Sequence, residues 1–149
     1  MATQTETTAK TPVHLWVVGI VSLLWNCFGA YDYTMSHIGG LEYFESMGLD
    51  AEAFAWFNAL PTWSVAAWAV GVWGSVLGSI LLLLRSRHAA TAFLVSLVSA
   101  VLSFVYQYTL DLPAAMDTTM NRLMPLVIVG AIVLQWWYAR RQVASGVLR

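Results

Sequence analysis

Four runs of about twenty apolar residues constrain this chain more than any other feature. A helix rises about 1.5 Å per residue and a bilayer's hydrocarbon core is roughly 30 Å thick, so about 20 apolar residues span it. Residues 13–36, 61–84, 89–110 and 123–139 meet that condition. Inside lipid no water satisfies a backbone amide, so such runs must be helical. The predicted fold class is all-α: an integral membrane antiparallel four-helix bundle with a short amphipathic outer segment. Composition agrees, with 59% hydrophobic and 10% charged residues, against about 25% charged in soluble domains.

Charge placement sets the topology. Lys10, Arg85, Arg87, Arg140, Arg141 and Arg149 all fall on one side of a four-span arrangement, and Arg122 alone falls on the other. Basic residues near span ends stay in the cytoplasm, so both termini are expected there. Every acidic residue except Glu6 lies in the opposite half. Residues 1–11 are polar and Thr-rich without the basic region and cleavage site of a signal peptide, and read as a disordered tail. The membrane domain then covers 12–141, and 142–149 form a C-terminal tail. A net charge of −1 gives no reason to expect nucleic acid as a partner. The lipid bilayer is the partner that composition requires.

The outer loop, 39–60, contains Glu42, Glu45, Asp50 and Glu52 and no basic residue. Asp50 is a suitable N-cap for a short helix ending before Pro61. That helix carries Phe54, Trp56, Phe57 and Leu60, which predicts a segment lying on the membrane with its rings at headgroup level. Trp63, Trp68, Trp136, Trp137 and Tyr138 suit interfacial belts.

Lipid gives helices no hydrophobic reason to associate, so small residues mark the contacts. The second span has a stripe of Ser64, Ala67, Gly71, Ser75 and Gly78, with Gly74 beside it. The third has Ala92, Ser96, Ser99 and Ser103, leading to Tyr106 or Gln107. These stripes are expected to pack together within the bundle, or else to form a homodimer face or line a ligand channel.

Polar groups within the spans are the candidate site. In the first span Ser22, Asn26, Gly29, Tyr33 and Ser36 share one face. Asn26, near the bilayer centre, must find a partner: either an interhelical hydrogen bond or a ligand. Asp32 lies about a turn inside the outer interface. Arg122 is its expected ion-pair partner, clamping the first and fourth helices, although Asp111 and Asp117 compete for the same arginine. Proton or ligand coupling through Asp32, and a carboxylate simply reaching water, are the other readings. A ligand site between the first, second and fourth spans, open to the outer side, would be lined by Asn26, Asp32, Tyr33, Trp63, Trp68 and Arg122. Pro125 would kink the fourth helix if that helix began at Thr118 or Thr119, and would be harmless if it began near Arg122.

Other chemistry is thinly represented. His14 and His88 share a depth at the cytoplasmic surface, as two axial haem ligands must. Interfacial histidines are the plainer account. Met116, Met120 and Met124 recur every four residues near Met35, Met47 and His37, and thioethers suit Cu(I). A methionine stripe also serves as adaptable packing. Cys27 stands alone and forms no disulfide or redox pair within the chain. No hydrolase, zinc-protease, phosphate-loop or dinucleotide fingerprint occurs. No catalytic residue or metal ligand is assigned, a cofactor remains undefined, and the chain is not expected to be an enzyme.

Two stretches carry a family resemblance. Leu24-Trp25-Asn26-Cys27-Phe28-Gly29-Ala30-Tyr31-Asp32-Tyr33-Thr34-Met35 is one. Pro61-Thr62-Trp63 with Ala66-Ala67-Trp68-Ala69-Val70-Gly71-Val72-Trp73-Gly74, Gly78-Ser79 and Leu84-Arg85-Ser86-Arg87-His88-Ala89 is the other. Together they resemble a small family of bacterial four-span inner-membrane proteins, sometimes labelled sugar transporters without a defined mechanism. The resemblance runs from about Leu15 to Tyr108. It implies a bacterial inner membrane and four spans, and carries no site residues. Small multidrug exporters differ in their shorter length, tighter loops and mid-helix glutamate. Two function classes follow. The protein binds or moves a small molecule, as a dimer or larger oligomer because four helices make a thin wall. Alternatively, it is an accessory subunit docking on a larger membrane complex through the small-residue face or the aromatic outer segment.

Overall fold

The computed structural model describes residues 10–149, so most of the expected N-terminal tail lies outside the described residues. Six helices follow in order: α1 Val13–Ile38, α2 Gly40–Ser46, α3 Ala51–Asn58, α4 Thr62–Leu83, α5 His88–Tyr108 and α6 Thr119–Ala144. Four of them, α1, α4, α5 and α6, are long and apolar enough to cross a membrane. They alternate in direction. Leu15, Leu82, Ala89 and Ala139 meet at the end carrying the chain termini, while α2 and α3 cover the other end. The protein is an all-α four-helix bundle of membrane-spanning helices, as the hydropathy pattern requires.

Small and hydroxylic residues face inward, and large apolar ones face out. The buried positions of α1 are Leu15, Gly19, Ser22, Asn26, Ala30 and Ser36. Leu24 and Phe28 are 67% and 69% exposed on the opposite face. Water would never support this arrangement, but lipid does. The tightest seam joins α4 to α5. A Cβ at Gly71 would stand 3.2 Å from Ala100, and one at Gly78 would stand 2.8 Å from the Phe93 ring. Ser96 Oγ donates to the Gly71 carbonyl at 2.5 Å, and Ser103 Oγ donates to the Ser64 carbonyl at 3.1 Å. The two small-residue stripes therefore do pack together. On α5 the contact face is turned from the expected one: Ala89, Phe93, Ser96, Ala100 and Ser103 are buried, while Ala92 and Ser99 flank it.

Three boundaries differ from the sequence reading. First, α6 is longer at both ends, and at its start the Thr118 hydroxyl caps it by accepting from Asn121 N at 3.2 Å. Pro125 thus lies inside the helix and leaves the Asn121 carbonyl without its usual donor. The Tyr108 hydroxyl donates to the neighbouring Arg122 carbonyl. Second, the C-terminal residues are not a free tail. Gly146, at φ 73°, turns the chain back. Val147 and Leu148 are buried beside Leu15 and Leu82. Arg149 exchanges two backbone bonds of 2.9 Å with Arg85 and Arg87. Arg85 occupies the left-handed position after α4 at φ 60°, where glycine is usual. Third, the outer loop holds two helices, since Gly40 at φ 61° opens α2 ahead of α3. Asp50 caps α3 as expected, with Ala53 N donating to its carboxylate at 2.9 Å. The rings do not all lie out at headgroup level, because Phe44 and Phe57 are buried against Trp68, Tyr106 and Met116.

The α4–α5 seam generates a first prediction. Gly71→Val is expected to lower stability by about 1–3 kcal/mol through overpacking against Ala100. Gly130→Ala meets nothing within 4 Å and should be neutral or slightly stabilising. Thermal unfolding of both variants in detergent, followed by helical circular dichroism, makes the comparison.

Candidate functional site: a polar hub beside a lateral groove

Asn26 sits at the middle of α1 and is 5% exposed. Its two Nδ2 hydrogens are shared among the Ser75 carbonyl at 3.1 Å, Ser79 Oγ at 2.9 Å and Gln135 Oε1 at 3.1 Å. Ser79 Oγ in turn donates to the Ser75 carbonyl at 3.0 Å. One amide therefore ties α1 to α4 and α6 at the centre of the bundle. The sequence reading gave Asn26 two possible roles, and the geometry is that of the interhelical hydrogen bond. Gln135 was missed. Its signal was available, because a glutamine within an apolar run must also find a partner.

The remaining candidates are dispersed. Asp32 does not meet Arg122; its carboxylate accepts from the Tyr43 hydroxyl at 2.8 Å. Arg122 is exposed and its Nε lies 2.5 Å from Asp117, five residues earlier. The clamp between the first and fourth spans is thus replaced by a local pair at the mouth of α6. The loop after α5 returns its own carboxylate to that arginine, whereas Asp32 is held by α2. Hydrogen bonding to Arg122 holds the Asp117 carboxyl below its ordinary range. Tyr33 and Trp68 do come together, edge to face at 5.0 Å, with His37 4.4 Å from Tyr33 and Phe57 5.5 Å from Trp68. Trp63 turns outward, 47% exposed against Tyr106. The six residues expected to line one site therefore occupy five places.

The residues of the metal readings take other contacts. His14 Nδ1 lies 2.5 Å from the Tyr138 hydroxyl. Met116 precedes α6 and packs under the outer helices, while Met120 is 66% exposed on α6, so the three methionines do not form one helical stripe. Among the described residues no group of three or more His, Cys, Asp or Glu side chains converges.

What the fold does form is a groove between α1 and α6. Close packing joins α1 to α4, α4 to α5 and α5 to α6, and leaves this fourth seam loose. The groove holds about 450 Å³, within the usual 300–1,000 Å³ of small-molecule sites. Val18, Val21 and Ala131 give it aliphatic walls, and Trp25, Trp137 and Tyr138 stand as aromatic posts. Ser22 and Gln135 supply the polar groups, and Gln135 connects the groove directly to the Asn26 hub. None of its lining residues was among the six candidates, because it arises where two helices fail to pack. Compared with known proteins, the chain matches no family model, and no curated protein or solved structure is significantly similar to it.

Two predictions follow from this geometry. Asn26→Leu and Gln135→Leu should each cost about 1–2 kcal/mol, and the double change should cost less than the sum, because both remove one bond. Strict additivity in unfolding measurements would remove the hub. The Tyr43 phenol, raised by burial and by the Asp32 carboxylate it bonds, is pushed up to about 12. Its folded value lies above the ordinary value of about 10. The contact's contribution is therefore complete below that ordinary value and is lost as pH rises through about 12. An alkaline ultraviolet titration should contain a late component that Tyr43→Phe abolishes.

Proposed function

We propose that this protein binds an apolar or amphipathic small molecule that enters sideways from the bilayer into the groove between α1 and α6. We further propose that it does so without catalysis, in a bacterial inner membrane with both termini in the cytoplasm. The single observation behind the reading is the groove itself: an apolar, aromatic-posted cavity with a polar connection to the central amide. A transport role would need a path past Asn26, whose amide is committed to α4 and α6. Binding therefore accounts for more of the geometry than translocation. An accessory role through the second span is less supported, because Gly71 and Gly78 already lie against α5.

The test is binding of a pyrene-labelled hydrocarbon to the protein in nanodiscs, read as energy transfer from tryptophan. Trp25 and Trp137 line the groove, so transfer should be saturable at one probe per chain. Ala131→Trp, which fills the groove, should weaken it at least tenfold. Transfer that never saturates, or that ignores this substitution in a folded variant, would end the reading.

A further inference from the structure

We infer that the occupant of this groove is one anionic glycerophospholipid from the leaflet on the side of the chain termini, with an acyl chain along the groove and its phosphate at the terminal-side mouth. This rests on the lateral-groove reading and names its ligand class.

Length is the first argument. The groove runs from Val18 to Trp25 on α1 and from Val127 to Tyr138 on α6. At about 1.5 Å per residue these walls are roughly 10 and 16 Å long. One leaflet's share of a hydrocarbon core roughly 30 Å thick is about 15 Å. A membrane helix from a second chain would need the full depth. A lipid chain needs only half of it.

Charge is the second argument. Beyond the groove on α1, one turn toward the terminus, stands His14, and Lys10 precedes the helix. Beyond it on α6 stands Arg141, whose guanidinium carbon lies 4.9 Å from the ring centroid of Trp137, itself a groove residue. His14 Nδ1 meets the Tyr138 hydroxyl at 2.5 Å, so the lip of the groove joins the two helices. Lys10 and Arg141 are exposed, and among the described residues the one ion pair is that of Arg122 with Asp117 at the opposite end. The Asp and Glu side chains of the described residues, from Asp32 to Asp117, all lie toward that opposite end, so among the described residues none stands at the mouth. Each lysine or arginine at a membrane surface favours anionic lipid by roughly fivefold. An apolar slot one leaflet deep beneath a cationic lip has the chemistry of an anionic phospholipid.

Native mass spectrometry of the whole protein, released from nanodiscs of equal phosphatidylglycerol and phosphatidylethanolamine, tests this. The expected result is one phosphatidylglycerol retained per chain in preference to phosphatidylethanolamine. Arg141→Gln should reduce that preference about fivefold, and Ala131→Trp should remove retention of both lipids. Arg141 is exposed, so its variant is informative even if the groove-filling variant fails to fold. Equal retention of the two lipids, abolished by Ala131→Trp, would overturn the anionic assignment and leave the groove reading standing. Preference unchanged by Arg141→Gln would also overturn it. No retained lipid, together with loss of the hydrocarbon probe's saturable binding, would overturn both.

Discussion

The close approach of α4 and α5 is the contact on which the rest of the structure depends. In water a helix pair is held by large apolar side chains withdrawn from solvent. In lipid those side chains gain nothing by turning inward, and backbones must come near enough for dispersion and hydroxyl bonds to act. Gly71, Gly74 and Gly78 permit that approach. Ser96 and Ser103 bond the carbonyls it brings within reach. The pair then offers a rigid face to each outer helix, with α1 packing on α4 and α6 packing on α5.

That arrangement leaves α1 and α6 facing one another without a shared ridge of small residues. Their contacts are polar and local: Asn26 with Gln135 near the middle, and His14 with Tyr138 at the terminal side. The walls stand apart over Val18 to Trp25 of α1 and Val127 to Tyr138 of α6, and there the groove opens. The same amide that secures the bundle thus helps to define where the bundle is open. Binding in the groove would bear directly on Gln135 and, through it, on Asn26. The hub is consequently a structural element that borders the groove.

The opposite end is closed by a different device. There α2 and α3 fold over the bundle and place Phe44 and Phe57 against Trp68, with Tyr33 and His37 beside them. The Tyr43 hydroxyl reaches Asp32, which fixes a carboxylate that would otherwise be costly near the hydrocarbon. At the terminal end the chain returns after Gly146 to bury Val147 and Leu148 and to bond the α4–α5 turn. Both ends are therefore capped, while the groove between α1 and α6 is open at the side.

The amino-acid sequence by itself determined the four spans, their alternation, the pairing of the second and third, the cap at Asp50 and the need for Asn26 to find a partner. These follow from length, hydropathy, small-residue spacing and the cost of an unpaired amide in lipid, all of which are local. Only the tertiary structure decided which partner each polar group takes. Asp32 and Arg122 looked complementary along the chain, but Tyr43 and Asp117 lie nearer once the loops are folded. Trp63 and Trp68 stand five positions apart on one helix, which turns the first outward and the second into the aromatic cap. The groove is invisible in the sequence for the same reason. It is a gap between two helices distant along the chain, and a gap is fixed by how every other pair packs.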